Sequence, residues 1–181
     1  MTKQEQHIIT GCQKGDRKAQ NLLFEQYKGM LFGVCLRYAK QASEAEDMLQ
    51  EGMIVIYQNL YKYRPTGSFA AWMKKVMVNS CLQVIRNKRF PVFAPIPSTY
   101  ENEELEQEDF NPLSQENLLR FIQQLPDGYR IIFNLYVIEG YTHEEIGQYL
   151  GISKNTSKSQ LSRAKRSLRA LIESAFNDCN T

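Results

Sequence analysis

The clearest hydrophobic periodicity in the chain runs from Tyr141 to Ala170, YTHEEIGQYLGISKNTSKSQLSRAKRSLRA. Ile146 and Leu150 form one apolar stripe at helical spacing, and Leu161, Ala164, Leu168 and Leu171 form another. Thr142 with Glu145 three residues on makes a capping box, and Gly151 stands where a helix commonly ends in a left-handed residue. Ser153 is placed to cap the second helix. Two helices joined by a tight turn are predicted here.

Upstream the same period of threes and fours recurs. Residues 3–14 read as a short, weakly amphipathic helix. Asp16 offers an N-cap for a longer one to about Lys40, with Leu23, Tyr27, Met30, Val34 and Tyr38 recurring along it. Ser43 is expected to cap a third helix, SEAEDMLQEGMIVIYQNLYKY. Its inward set is Met48, Leu49, Met53, Ile56, Tyr57 and Leu60, with Glu44, Asp47, Gln50 and Glu51 facing out. Arg64-Pro65-Thr66-Gly67 ends it in a loop, and Ser68 is expected to cap a fourth helix, FAAWMKKVMVNSCLQVIRNKR. No strand alternation appears in this half. From Phe90 to about Ser114 the pattern breaks down into four prolines and an acidic run, which reads as a linker. Helices at 115–124 and 130–139 follow, with Asp127 as the cap between them. The predicted fold is all-α: two small helical domains, 1–90 and 115–181, joined by a flexible acidic, proline-containing linker at 91–114. The second domain closes on the helix-turn-helix.

The 181 residues suffice for one ordinary domain or two small ones, and the 43% hydrophobic content is globular. No apolar run approaches a membrane span and no signal pattern precedes MTKQEQHIIT, so a cytosolic protein is expected. Cys12, Cys35, Cys81 and Cys179 lie far apart and only His7 and His143 accompany them, which argues against a zinc ribbon or finger. Cys35 and Cys81 fall within apolar patterns and are expected to be buried, reduced thiols.

Net charge is only +2, but its distribution is blocked. Residues 41–61 carry four acids and no base, 52–100 seven bases and no acid, and 101–116 seven acids and no base. From Lys154 to Arg169 there are six Lys or Arg and no acid. Such blocks fit two nucleic-acid-facing surfaces. A helix-turn-helix places the start of its second helix in a DNA major groove. The fourth helix sets Phe69 and Trp72 beside Lys74, Lys75, Arg86, Lys88 and Arg89, a combination suited to single-stranded DNA. The plainer reading makes Trp72, Val76 and Leu82 core and the lysines a solvated face. The loop Arg64–Phe69 is a candidate to cradle an extruded base. No catalytic constellation is visible, and neither histidine has a recognisable Ser or Cys partner. The acids at 44–51 read as helix-dipole partners rather than a metal site. A binding protein without metal or cofactor is expected.

Three motifs in order carry a family resemblance: SEAEDMLQEGMIVIYQNL, the segment Arg64 to Asn79 (RPTGSFAAWMKKVMVN), and the terminal helix-turn-helix. Together, over about 15–90 and 115–172, the chain resembles the extracytoplasmic-function (ECF) sigma factors, small two-domain specificity subunits of bacterial RNA polymerase. The resemblance implies that Asp47, Gln50, Glu51 and Ile54 (or Met53, by an alternative alignment, at the family's Phe) dock on the clamp helices of the largest core RNA polymerase subunit. It implies that Arg64, Ser68, Phe69, Trp72, Lys75, Asn79 and Arg86 melt and read the minus-10 promoter element. At minus-35, Lys154, Asn155, Thr156, Ser159 and Gln160 are expected at base edges and Lys158, Arg163 and Arg166 at phosphates, with Thr142 and His143 on the same surface. Asn155 or Gln160 could pair bidentately with an adenine. Further implied partners are promoter DNA, the flap of the second-largest subunit, and an anti-sigma factor, free or membrane-anchored, that holds the domains inactive. The linker is implied to thread near the polymerase cleft.

Relatives usually carry Asp where this chain has Gln83, and Val then Arg where it has Ser157 and Gln160. The Ser157 hydroxyl is expected to bond a carbonyl in the preceding turn. Gln160 removes a cation, which lowers the salt dependence slightly. A free-standing helix-turn-helix regulator leaves the 43–57 motif and the basic fourth helix unused, and a nucleic-acid enzyme lacks a clustered acid or metal pattern.

Overall fold

The computed structural model describes residues 3–65, 67–87 and 114–178. All regular structure in them is helical, and the chain divides into two compact units, 1–90 and 91–181. The linker expected at 91–114 lies outside the described residues except for Ser114, as do Lys88 and Arg89.

The first unit contains α1 (Lys3–Gln13), α2 (Arg17–Tyr38), α3 (Ala42–Asn59) and α4 (Phe69–Asn87), with a 3-10 turn at Leu60–Lys62. Asp16 caps α2 as expected, accepting from the Lys18 amide at 2.8 Å. Helix α2 packs against α1, α3 and α4 together, so it is apolar around more of its circumference than one stripe. Leu31 and Cys35 are therefore fully buried beside Leu23, Val34 and Tyr38, while Met30 from the expected stripe is only half-buried. Met48 and Ile56 of α3 and Met73, Met77 and Cys81 of α4 complete this core. Gly52 is buried where α3 meets α4, and a methyl group there would overlap the Met77 sulfur.

The start of α3 differs from expectation. Gln41, not Ser43, occupies the cap position and makes no side-chain cap bond. Glu44 reaches back instead, accepting from the Lys40 amide at 2.7 Å. A carboxylate in the first turn meets the positive end of the helix dipole and here also ties down the amide just before the cap. Ser68 caps α4 as expected, accepting from the Ala71 amide at 3.4 Å.

The second unit contains α5 (Gln115–Gln124), α6 (Asp127–Phe133), a π-helical segment Asn134–Ile138, α7 (His143–Leu150) and α8 (Lys154–Asp178). Ser114 caps α5 through the Asn117 amide. Phe121, Leu125, Ala164 and Leu168 form a buried cluster on which Ile122, Tyr129, Phe133 and Leu171 pack. Asp127 is not a cap. It opens α6 and its carboxylate takes a 2.6 Å bond from Arg130, whose other terminal nitrogen donates to the Gln123 and Leu125 carbonyls, each at 3.0 Å. At 2% exposure Arg130 needs those partners, because a buried charge without them is strongly destabilising. The helix expected at 130–139 instead widens into the π segment.

Candidate nucleic-acid interface

On α3, Asp47, Gln50, Glu51 and Ile54 follow one another at helical spacing of three, four and seven, and all four are exposed. Ile54 is 56% exposed, whereas its neighbour Met53 is 4% exposed. The structure therefore separates the two residues that alignment left interchangeable: Met53 packs inward and Ile54 shares the surface stripe with the acids.

The turn and α4 present a second surface. Arg64 is exposed and donates to the Tyr61 carbonyl at 3.2 Å. Phe69 is 4% exposed, meeting Tyr27 and Tyr63 edge-on at centroid separations of 5.8 and 4.9 Å. It supports the surface from beneath rather than forming it, because its position at the first turn of α4 turns it onto α2. Trp72 is half-buried, stacked on Phe69 at 5.7 Å and tilted against Tyr63 at 5.5 Å. Between α3 and α4 lies an open cleft of about 380 Å³, with Val55, Trp72 and Val76 as apolar walls and Asn59, Asn79 and Gln83 supplying amides. Ser68, Lys75 and Arg86 are exposed and from Gly52 to Asn87 there is no acid, although Glu51 at the edge of the α3 stripe also lines the cleft. Tyr61, exposed with the Lys62 ammonium 5.5 Å from its ring, was not singled out from sequence. An isolated aromatic without helical partners gives no periodic signal there.

The helix-turn-helix is built as its pattern predicts. Thr142 accepts from the Glu145 amide at 3.2 Å while the Glu145 carboxylate takes bonds from the Thr142 amide and hydroxyl, both at 2.8 Å. Gly151 is left-handed at φ 69°, ψ 34° and Ser153 caps α8 through the Thr156 amide at 3.0 Å. Lys154, Asn155, Lys158, Ser159, Arg163 and Arg166 are exposed along α8, with Lys154 3.5 Å from Glu144. Thr156 is half-buried and bonded to Ser153.

Two expectations change here. Gln160 is half-buried with its amide oxygen inward, buried and without a hydrogen-bond partner. A bidentate pair with adenine needs both amide atoms, so Gln160 must turn outward before it can read a base. Asn155 is already exposed. Ser157 is fully buried, and its hydroxyl lies 2.9 Å from His143 Nδ1 rather than on a carbonyl of the preceding turn. The ring of His143 stacks on Tyr136, with centroids 4.3 Å apart. Burial first, then the field of Lys158, Lys154 and Lys165, holds the imidazole below its usual range. Sequence missed Tyr136 because it lies outside the helix-turn-helix, on the π segment.

Among the described residues no group of three or more His, Cys, Asp or Glu converges as a metal site would require. Comparison with known proteins matches both units of the chain. A family described as "Sigma-70 region 2" matches residues 23–90, and one described as "Sigma-70, region 4" matches 115–168. The chain belongs to the sigma-70 family, in its extracytoplasmic-function class. The RNA polymerase sigma-H factor of Pseudomonas aeruginosa is 28% identical over 182 residues, covering 94% of each chain. The ECF RNA polymerase sigma-E factor of Escherichia coli K12 is 28% identical over 91% of this chain and 92% of its own length. Among solved structures, the sigma factor RpoE from Bartonella quintana, crystallised with the anti-sigma factor NepR, aligns with a TM-score of 0.52 at 17% identity, over 84% of this chain and 96% of that one. That likeness shows a shared fold.

The protein is thus a sigma factor: it binds core RNA polymerase, directs it to promoters and helps open them. The family is one of transcription initiation factors. A free-standing regulator would leave the matched region at 23–90 without a role. Among the described residues no helix is long and apolar enough to cross a membrane.

Proposed function

We propose that the three surfaces divide the work of initiation between domains 1–90 and 115–181. The stripe of Asp47, Gln50, Glu51 and Ile54 docks on the clamp helices of the largest polymerase subunit. Arg64, Ser68, Trp72, Lys75, Asn79 and Arg86 hold the melted minus-10 strand, with Phe69 bracing them. The first turns of α8 enter the minus-35 major groove, where Asn155 and Ser159 face base edges and Lys158, Arg163 and Arg166 face phosphates. The segment 91–114 tethers the two domains, threading near the polymerase cleft, and the flap of the second-largest subunit receives the C-terminal domain.

One observation carries this reading: the four residues of the α3 stripe are all exposed on one helix face, three polar groups leading to an isoleucine that is 56% exposed. An exposed apolar anchor beside polar groups is the make-up of a protein interface. The protein works in the cytoplasm, with no cofactor and no catalysis of its own. Its regulatory partner is an anti-sigma factor, as in the co-crystallised relative, either free or membrane-anchored.

The test uses the full chain and purified core polymerase. Asp47→Ala with Gln50→Ala should lower core affinity by roughly tenfold or more, the scale of losing two interface polar contacts, while binding to duplex DNA without core stays unchanged. Core affinity equal to that of the unsubstituted chain would overturn the docking surface.

A further inference from the structure

His143 opens α7, yet its closest partners lie on other elements. Nδ1 is 2.9 Å from the Ser157 hydroxyl of α8, and its ring lies on Tyr136 with an interplanar angle of 21°. Ser157 is fully buried, one turn before Leu161 on the inward face of α8. A buried hydroxyl needs a hydrogen-bond partner, and His143 supplies it. Ser157 is flanked in sequence by Asn155, Lys158 and Ser159, the residues proposed to face DNA. Whatever fixes Ser157 against α7 also fixes the angle at which those residues are presented.

We propose that His143 is a positioning residue for promoter reading: held between Tyr136 and Ser157, it sets how the first turns of α8 stand against α7, without itself touching DNA. This rests on α8 being the minus-35 reader. The charged groups facing the ring from α8 are Lys154, Lys158 and Lys165, and they together with burial favour the neutral imidazole. On its own helix, Glu144 is drawn to Lys154 and Glu145 to the Thr142 cap. From the preceding segment come the ring of Tyr136 and the phenol of Tyr141, whose pKa is raised, by burial first. A neutral ring adds no cation to the DNA face, so its removal should leave the number of neutralised phosphates, and with it the salt slope, unchanged.

The probe is a promoter duplex selected from a random-sequence library by the full chain bound to core polymerase, compared with the same duplex carrying a scrambled minus-35 half. His143→Ala should reduce the preference for the selected duplex about tenfold, the ratio that roughly 1.4 kcal/mol produces. The salt dependence of binding should stay unchanged. Ser157→Val should cost about as much, and His143→Ala added to it should cost nothing further, since both changes break one bond. His143→Gln, which can still bond Ser157, should restore most of the preference.

A salt slope lowered by about one would instead make His143 a cationic phosphate contact. Additive losses, or an unchanged preference in both single variants, would also overturn the proposal. If His143→Ala fails to fold, Ser157→Val and His143→Gln carry the comparison. Failure of the unsubstituted chain to form a complex with core polymerase would overturn the sigma reading itself. An intact complex insensitive to these changes overturns only the positioning role.

Discussion

Replacing Ile54 and Met53 by alanine, one at a time, separates docking from folding on adjacent residues of α3. Met53 is 4% exposed and packs in the first unit's core. Truncating a buried methionine costs about 2–5 kcal/mol. In a unit of this size each kcal/mol lowers Tm by roughly 4–8 °C, so Met53→Ala should fall by about 8 °C at the least. Ile54 is 56% exposed. Full burial of an isoleucine is worth about 1.5–3 kcal/mol, so the exposed share leaves about 1–1.5 kcal/mol for a partner to collect. Ile54→Ala should therefore leave Tm within a few degrees and weaken core polymerase binding about five- to tenfold. Thermal unfolding by circular dichroism gives the first quantity, and anisotropy titration of labelled protein with core polymerase gives the second. An Ile54→Ala variant that binds core normally, alongside a folded Met53→Ala variant that does not, would refute the assignment of the stripe.

Two further outcomes follow from local geometry. Gly151→Val places a branched side chain at φ 69° and should cost about 1–2 kcal/mol; Gly151→Asn should cost less than half as much, read as Tm of the full chain. Burial first, then Asp16, pushes the Cys12 thiol up to about 11 from 9.0. A raised folded value means its contribution is complete below pH 9 and is lost as pH rises through 11. Denaturant titrations across that window should show a decline that is smaller in Cys12→Ala, and native Cys12 should alkylate slowly at pH 8, as about 1 in 1,000 thiols is ionised three units below the pKa.

Much of this molecule was written in local pattern. The capping box of Thr142 and Glu145, the left-handed Gly151 and the Ser153 cap depend on neighbours within four residues, and all three stand where the sequence places them. The caps at Ser43 and Asp127 failed for an equally local reason. Helix α3 starts one residue before Ser43, with Gln41 at the cap, and Glu44 reaches back to the Lys40 amide. Asp127 found a better partner in Arg130. The two predicted thiols at Cys35 and Cys81 are indeed buried, but that their sulfurs face each other at 3.9 Å across α2 and α4 is a fact of packing.

By itself the sequence determined an all-helical chain, its two units and its family, because helical periodicity, caps and charge blocks are short-range properties. Tertiary structure decided which member of a pattern faces outward. It put Ile54 on the surface and Met53 beneath it, sank Phe69 under Trp72, and turned the Gln160 oxygen inward. It also joined His143 to Ser157 and Tyr136. A side chain's direction is set by the elements packed against its own, and no reading along one helix contains the neighbours that choose it.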